Sequence, residues 1–332
     1  MSVSHRLWFC ARVAAWLLIA LVDSSSACQG DEPARLSGTL YASVFKVMPV
    51  GGDNKPRQVI AVDVATGKYR DIGCEGIAPR VEPDAQLVAS WKIGPQLVPN
   101  RDDRADEVSI HDLTGKSEPF IVCQGSSVGG WVNGGKQLIV ARMHHPSADN
   151  DNQWQYTNYL VHADGSASEE LDMPKTDRIL DCTPDGQWML VFRGRGLWIK
   201  EAGEAKMKQI AGHTNSAFKG RLSPDGRQVS YVASSRLGDR VMIVNRDGTG
   251  AREIFKSEGV ADPDDVCWSP DGRFIALSMF DWTLEGGRKI LHGGEDHNCR
   301  IVFINVADKS QQVLQFEDLP LSEISDMDWQ AK

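Results

Sequence analysis

The stretch Cys267–Phe280, with the sequence CWSPDGRFIALSMF, is typical of two β-strands joined by a tight turn. Pro270 presets φ for the first corner of such a turn, Asp271 tolerates the second, and Gly272 supplies the positive φ at which a Cβ atom would clash. Apolar, β-prone residues stand before and after the turn. The stretch Leu222–Ser235, LSPDGRQVSYVASS, repeats the pattern. The sequence therefore predicts a β-hairpin that occurs more than once.

Three weaker copies of this turn lie earlier in the sequence. Each is followed by an apolar run, and they are Glu82-Pro83-Asp84-Ala85, Trp131-Val132-Asn133-Gly134-Gly135 and Cys182-Thr183-Pro184-Asp185-Gly186. The five turn centres lie 50, 51, 40 and 46 residues apart along the sequence. A period of this length indicates a repeat architecture.

A second set of hairpins alternates with the first. Asp-Gly and Thr-Gly pairs between apolar runs are strong hairpin signals. Such pairs, or degenerate forms of them, occur at Thr66-Gly67, Thr114-Gly115, Asp164-Gly165, Ala202-Gly203, Asp247-Gly248 and Asp308-Lys309. Each unit therefore has four strands, with one hairpin of each kind. A four-stranded antiparallel sheet repeated around a ring is a β-propeller.

The N-terminal and C-terminal parts of the sequence are expected to complete the ring. Ser325–Trp329 matches the strand Asp265–Trp268 that opens the preceding unit. We therefore predict an all-β, six-bladed β-propeller of four-stranded antiparallel blades over residues 36–332, in which the C-terminal strand completes blade one. The segment from Thr39 to Ile72 supplies the other three strands of that blade. This closure removes open sheet edges.

The N-terminus has the features of a secretory signal peptide. Two arginines precede the apolar run Val13–Val22, which is too short to span a membrane. Ser25-Ser26-Ala27 suits cleavage before Cys28. We expect residues 1–27 to be removed, residues 28–35 to form a short tether, and the protein to be exported. Cys28 resembles the acylated cysteine of bacterial lipoproteins, and the sequence leaves lipid attachment and plain secretion both open.

Composition limits the partners of the protein. The formal net charge is −9, and no basic stripe or run of Lys and Arg is present. We therefore expect no nucleic-acid partner. No later segment is apolar enough to span a membrane, and we expect a monomer.

The spacing of the cysteines predicts neither a disulfide pattern nor a metal site. Those beyond Cys28 are Cys74, Cys123, Cys182, Cys267 and Cys299, and none has metal-type spacing. Export permits disulfides, but the pairing stays open. Because Cys182 stands where Trp268 stands in its blade, we expect Cys182 to be a buried free thiol.

The turn motifs, the Gly hairpins and the export signal together resemble the TolB-like propeller repeat. This repeat occurs in the six-bladed periplasmic TolB protein and, more distantly, in prolyl oligopeptidase-type peptidases. It is most specific at Thr183–Gly186, Ser223–Gly226 and Ser269–Gly272. TolB carries an α/β domain before its propeller, whereas about ten residues separate Cys28 from the first strand here. The resemblance implies a propeller without that domain, and it indicates a fold rather than a function.

Three long insertions between second and third strands are predicted to share one face. They are Trp91–Glu107, Arg142–Trp154 and Asp281–Asn298. Long loops on a rigid scaffold often carry function. Trp91, Trp154 and Trp282 lie in these loops or at their edges, where an aromatic ring can stack on a sugar or anchor a protein partner.

The same loops carry histidines that are further candidates for ligand binding. They are His144, His145, His292 and His297. Together with Asp149 and Asp151, the pair His292 and His297 could hold a divalent metal ion such as Zn²⁺. The motif spacing is not that of a known metal site.

Three functional hypotheses follow, and one of them is a structural spacer with no specific ligand. The other two belong to different classes. The first is an exported, non-enzymatic propeller that needs no cofactor and binds a protein or peptide of the bacterial cell envelope through its long-loop face or channel mouth. The alternative is a metal-assisted, carbohydrate-active lyase or hydrolase that uses the His, Asp and Glu side chains of the long loops, as certain pectic-sugar lyases with a propeller fold do.

Overall fold

The computed structural model describes most of the protein in detail. It covers residues 35–46, 57–95, 105–144, 154–212, 216–234, 238–257, 261–285, 288–291, 300–316 and 322–331. The polypeptide divides into two compact units, Met1–Arg35 and Leu36–Lys332. The predicted signal peptide and Cys28 lie outside the described residues. Within these ranges, no helix has the length and apolar character needed to cross a bilayer.

The second unit consists of six antiparallel sheets with four strands each in meander order, and the sheet of blade six has one additional strand. The strands of blade one are β1 (Thr39–Lys46), β2 (Gln58–Asp63), β3 (Tyr69–Glu75) and, from the C-terminal part of the sequence, β25 (Ser322–Gln330). Blade two contains β4 (Ile77–Val81), β5 (Leu87–Lys92), β6 (Glu107–Asp112) and β7 (Phe120–Gln124). Blade three contains β8 (Ser127–Val132), β9 (Gln137–His144), β10 (Gln155–His162) and β11 (Ser168–Glu170).

The remaining three blades follow in sequence order. Blade four contains β12 (Asp177–Cys182), β13 (Trp188–Arg193), β14 (Gly196–Glu201) and β15 (Met207–Ala211). Blade five contains β16 (Ser216–Leu222), β17 (Gln228–Ser234), β18 (Arg240–Asn245) and β19 (Arg252–Lys256). Blade six contains β20 (Ala261–Trp268), β21 (Phe274–Glu285), β22 (Arg288–Leu291), β23 (Arg300–Asn305) and β24 (Gln311–Gln315), and β22 pairs with the end of β21.

The C-terminal strand β25 closes the ring. It pairs antiparallel with β1, so that Trp329 lies opposite Leu40 and Met327 lies opposite Ala42. Sheet one therefore has the order β25-β1-β2-β3. The predicted six-bladed propeller and its closure by the C-terminal strand are confirmed.

The core of the propeller lies between neighbouring blades. Between blades five and six, for example, the apolar side chains of β17 and β18 pack against those of β20, β21 and β23. Strand β21 is thus buried on both faces next to its turn, which requires a continuous apolar run rather than strict alternation. Ile275, Ala276 and Leu277 on β21 are each 0% exposed.

Side-chain hydrogen bonds fix the first hairpin of blades four, five and six. In blade five, the Ser223 hydroxyl donates to Asp225 Oδ1 (2.6 Å) and accepts the Gln228 amide N–H (2.9 Å). The same carboxylate oxygen accepts the Arg227 amide N–H at 3.0 Å. Gly226 follows with a φ of +66°. The hydrogen bonds and the backbone conformation of the turn therefore explain the Ser-Pro-Asp-Gly motif.

Blade two builds the equivalent turn without glycine. Ala85 takes the place of Gly226 and has a φ of +54°. A residue with a Cβ atom costs about 1–2 kcal/mol in this left-handed region. The turn of blade two is therefore strained by its sequence.

Replacing Ala85 with glycine is expected to stabilise the protein. We predict that Ala85→Gly raises the free energy of unfolding by about 0.5–1 kcal/mol, because the relief of strain exceeds the entropy cost of glycine. The matched control is Gly272→Ala, where φ is +70° and an added Cβ atom would meet only Pro224 Cδ at 3.9 Å. This control should lose stability by a similar amount. Urea unfolding of both variants measures the effect, and a destabilised Ala85→Gly variant would contradict it.

Candidate functional site

The described structure places the three candidate tryptophans on different elements. Trp91 lies on β5, is half-buried and packs against the core between blades two and three. Trp154 is 40% exposed and directly precedes β10. Trp282 lies on β21, opposite Leu291 of β22. Their binding roles stay predictions.

The histidine and metal candidates are largely beyond the described ranges. His144 is the last residue of β9, and its Nε2 lies 2.9 Å from Thr157 Oγ1. The other candidates fall outside the described residues; they are His145, Asp149, Asp151, His292 and His297. Among the residues that are described, no three His, Cys, Asp or Glu side chains are grouped so as to hold a metal ion. The metal site and the enzymatic hypothesis therefore stay untested predictions.

A cavity of about 300 Å³ lies where the innermost strands of the blades converge. Its wall includes residues of the first hairpin turns, among them Pro83, Thr183, Pro184, Ser223, Pro224 and Pro270. Because the strands are antiparallel, the second strands end and the third strands begin at the opposite end of the blades. The sequence predicted no site residue at this hairpin end.

One position of the inner strand contributes to the cavity wall in all six blades. The inner strands are aligned by their pairing with the next strand, in which Trp329, Val81, Trp131, Cys182, Leu222 and Trp268 are equivalent. The residue before each of these lines the cavity. From blade one to blade six, these residues are Asp328, Arg80, Gly130, Asp181, Arg221 and Cys267. We call this set the channel ring, and its Asp–Arg–small order occurs twice around the circle.

A β-bulge precedes the channel ring in every inner strand. The register of pairing shifts within each of the six, for example between Phe218 and Arg221 in β16. Three bulges contain a non-glycine residue with positive φ, namely Ala78 (+52°), Lys219 (+49°) and Asp326 (+48°). A bulge redirects the side chains beside it. In each inner strand, a β-bulge therefore lies just before the channel-ring residue that lines the cavity.

Carboxylates next to the cavity connect neighbouring blades. Asp328 accepts the Val81 amide N–H at 2.6 Å, and Asp181 accepts the Leu222 amide N–H at 2.8 Å. Asp265, at 0% exposure, accepts the Met327 amide N–H at 2.7 Å. Each bond joins the inner strand of one blade to that of the next, so the polar channel also holds the ring of blades together.

The fold was compared with known proteins. No family model matches the sequence, and no curated protein matches it. Among solved structures, TolB from Acinetobacter baumannii has a TM-score of 0.65 at 16% identity, and the alignment covers 92% of this protein and 69% of that one. A protein assigned as TolB from Agrobacterium tumefaciens has a TM-score of 0.58 at 12% identity, with coverage of 89% and 99%. This protein has the TolB-like propeller fold.

The alignment with TolB from Acinetobacter baumannii covers 92% of this protein but only 69% of that one, which fits the expectation that the similarity is confined to the propeller. Oligogalacturonate lyase from Vibrio parahaemolyticus aligns with a TM-score of 0.49 at 13% identity, over 78% of this protein and 71% of that one. At this level the similarity says nothing about chemistry.

Three inner-strand tryptophans of the propeller are packing residues. Trp131 and Trp268 are buried, and their Nε1–H groups donate to the backbone carbonyls of Arg80 (2.7 Å) and Arg221 (3.2 Å) in the preceding blades. Trp329 donates to the Ser37 carbonyl at 2.9 Å. The first two bonds fix the backbone of both arginines of the channel ring.

The thiols in the described part of the propeller are unpaired. Cys74, Cys123, Cys182 and Cys267 are free cysteines, whereas Cys299 is outside the described residues. Cys182 is buried, as the sequence predicted from its match with Trp268. Burial raises the pKa values of the Cys182 and Cys267 thiols well above the ordinary value, so both are neutral at pH 7.

The two arginines of the channel ring differ in their partners. Arg221 Nη2 lies 3.6 Å from Asp265 Oδ2. Burial lowers the pKa of Arg221, but the carboxylates of Asp265 and Asp181 outweigh burial and raise it overall. Arg80 donates from Nη1 to the Pro79 carbonyl at 2.9 Å and, within the described residues, forms no ion pair. Burial and then the charge of Arg221 lower the pKa of Arg80.

A second charged layer lies beside the bulges. Lys219 Nζ is 3.0 Å from Asp326 Oδ1, and Arg57 Nη1 is 3.9 Å from Asp326 Oδ2. Burial raises the pKa of Asp326, but Lys219 and the arginines of the channel ring lower it to about 2 overall. Burial raises the pKa of Asp264 to about 6, with Lys219 opposing this shift and Asp265 adding to it.

The interblade carboxylate bonds make a direct prediction. Asp181→Ala leaves the buried Leu222 amide without an acceptor and is expected to cost about 1–3 kcal/mol of unfolding free energy. Asp181→Asn retains an acceptor oxygen and should cost less than half as much. Urea unfolding of the two variants measures the difference. Equal losses would show that the bond to Leu222 does not hold blades four and five together.

The raised pKa of Asp264 gives stability a specific pH dependence. Because the folded state binds this proton more tightly than the unfolded state does, Asp264 weakens the fold progressively from about pH 4 to pH 6. The charged groups around it are Lys219, Asp265, Asp326 and Arg57. We expect Asp264→Asn to gain up to about 2 kcal/mol over the wild type at pH 8 and nothing at pH 4. Denaturant unfolding at both pH values tests this; a pH-independent difference would refute the assignment.

Proposed function

We propose that this protein is an exported, non-enzymatic β-propeller that binds a protein or peptide of the bacterial cell envelope at the mouth of its central channel. The observation that carries the proposal is the cavity at the hairpin end, to which the inner strands of all six blades contribute. Concave sites where several elements converge are the usual places of binding. The cavity is also rigidly supported, since carboxylate and tryptophan bonds cross between the blades that form it.

The size of the cavity favours part of a peptide as the ligand. Small-molecule sites have volumes of roughly 300–1,000 Å³, and this cavity, at about 300 Å³, is at the lower end of that range. It therefore suits one or two side chains of a peptide segment. The wall includes charged residues together with Trp131, Trp268 and Trp329. Tryptophan and arginine are both enriched at protein-binding hot spots.

The assignment to the cell envelope rests on two supports. The N-terminal apolar run Val13–Val22 and the small residues after it favour export. The fold resembles that of TolB, a periplasmic propeller protein. Attachment by a lipid at Cys28 is compatible with both and would keep the propeller at a membrane surface.

Site-directed photocrosslinking tests the proposal. A photoreactive phenylalanine analogue replaces Pro184, an exposed residue of the cavity wall, in the full-length exported protein. The matched control carries it at Ile121, which is 57% exposed on the outermost strand of blade two, and a third variant carries it at Trp154. We expect one envelope protein to be crosslinked from position 184 and not from 121, and a synthetic peptide of the crosslinked segment to compete.

The three variants separate the possible outcomes. Crosslinking from position 154 alone would move the binding surface to the long-loop face. The absence of a specific adduct from both 184 and 154 would contradict the proposed function.

A further inference from the structure

Arg80 is a buried cation whose bonding is incomplete. The residue is only 6% exposed, and it lines the cavity. Nη1 donates to the neighbouring Pro79 carbonyl, and Nε is buried without a hydrogen-bond partner among the described residues. The carboxylates of Asp328, Asp181 and Asp265 act on Arg80 only without direct contact. Burying a guanidinium group without a direct ion pair or a full set of acceptors is costly. A partner from another molecule would remove this cost.

Arg221 stands opposite Arg80, three blades further around the channel ring. It is 9% exposed and lines the same cavity. The two positive charges repel each other strongly enough that Arg221 contributes to the lowered pKa of Arg80. Its contacts with the Gly220 carbonyl (3.4 Å) and Asp265 (3.6 Å) are long, so its own donors are weakly engaged. An anion in the cavity is attracted by both guanidinium groups.

The other members of the channel ring limit the charge of that anion. Asp328 and Asp181 alternate with the arginines, so the four charged members of the ring sum to zero. Asp265 adds a further negative charge behind Arg221. A ligand with one negative charge gains from the arginines, whereas a second negative charge would meet these carboxylates. The ring therefore favours a monoanion over a phosphate dianion.

The geometry points to a carboxylate as this monoanion: we propose that the cavity binds the carboxylate of an acidic peptide segment, held by Arg80 and Arg221. The proposal rests on the proposed function and names the group that is recognised. A carboxylate accepts two parallel N–H bonds from the fork of one guanidinium group. Trp131, Trp268 and Trp329 also contribute to the cavity wall. The carboxylate is either the C-terminus of a peptide or an Asp or Glu side chain.

Three short peptides test the proposal with the full-length protein. The first is N-acetyl-Ala-Ala with a free C-terminal carboxylate, the second is N-acetyl-Ala-Glu-Ala amide, and the third is the neutral N-acetyl-Ala-Gln-Ala amide. Ligand-observed NMR titration measures their dissociation constants. We expect at least one acidic peptide to bind ten times or more tightly than the neutral one, and the better of the two identifies the source of the carboxylate. Equal affinities for all three, or no binding, would overturn the proposal.

Variants of the protein assign the binding to the arginines. Arg80→Gln is expected to weaken binding of the acidic peptide at least tenfold, and Arg80→Lys several-fold, because lysine retains the charge but not the fork. The matched control is Arg227→Gln, an arginine at the same end of the propeller whose side chain is 82% exposed. It should leave affinity unchanged. Unchanged affinity in a folded Arg80→Gln variant would refute the role of Arg80, and the wild-type peptide comparison decides the matter if that variant does not fold.

Two further measurements distinguish carboxylate binding from phosphate binding and from the proposed function. Inorganic phosphate is expected to bind more weakly than the acidic peptide, and tighter binding of phosphate would contradict the monoanion selectivity. Crosslinking of a partner from position 184 without any preference for acidic peptides would leave the proposed function intact and reject the carboxylate. A preference for acidic peptides without a crosslinked partner would retain the carboxylate site and reject the envelope-binding role.

Discussion

The pairing of β25 with β1 is the constraint on which the rest of the structure depends. It makes blade one from the N-terminal and C-terminal parts of the propeller and turns a row of sheets into a ring. The same strand brings Asp328, Asp326 and Trp329 to the channel, where Asp328 bonds to blade two and Asp326 pairs with Lys219 of blade five. The strand that closes the ring therefore also completes the cavity.

The inner strands combine two tasks that oppose each other energetically. They must pack blade against blade, and apolar clusters between the sheets achieve this. They also carry buried charges, which destabilise a fold unless they are paired. Asp181, Asp265 and Asp328 each accept a backbone amide from the adjacent blade. Arg80 forms no ion pair among the described residues, and the proposed carboxylate site rests on this difference.

Much of the fold could be predicted because its signals are local. A Ser-Pro-Asp-Gly turn is determined by contacts within five residues, as Ser223 and Asp225 show, and the match of Ser325–Trp329 to an earlier strand predicted the closure. The channel ring could not be predicted in this way. Its members are single residues from six repeats, and Arg80 and Asp181 stand before the turn motifs of their blades rather than within them. Aligning the residue before each Val81- or Trp268-equivalent position would have displayed the Asp–Arg–small pattern, but the bulges decide that these side chains face the cavity.

Ring closure is tested most directly by amide hydrogen exchange on β1, Thr39–Lys46, in the full-length protein and in a shortened protein that ends before Ser322. Amides that bond across to another strand exchange slowly only while that strand is present. The β1 amides facing β25 are expected to be protected in the full-length protein and to lose this protection in the shortened one, which should also unfold at a lower temperature. Equal protection and equal unfolding temperatures in the two proteins would contradict ring closure by β25.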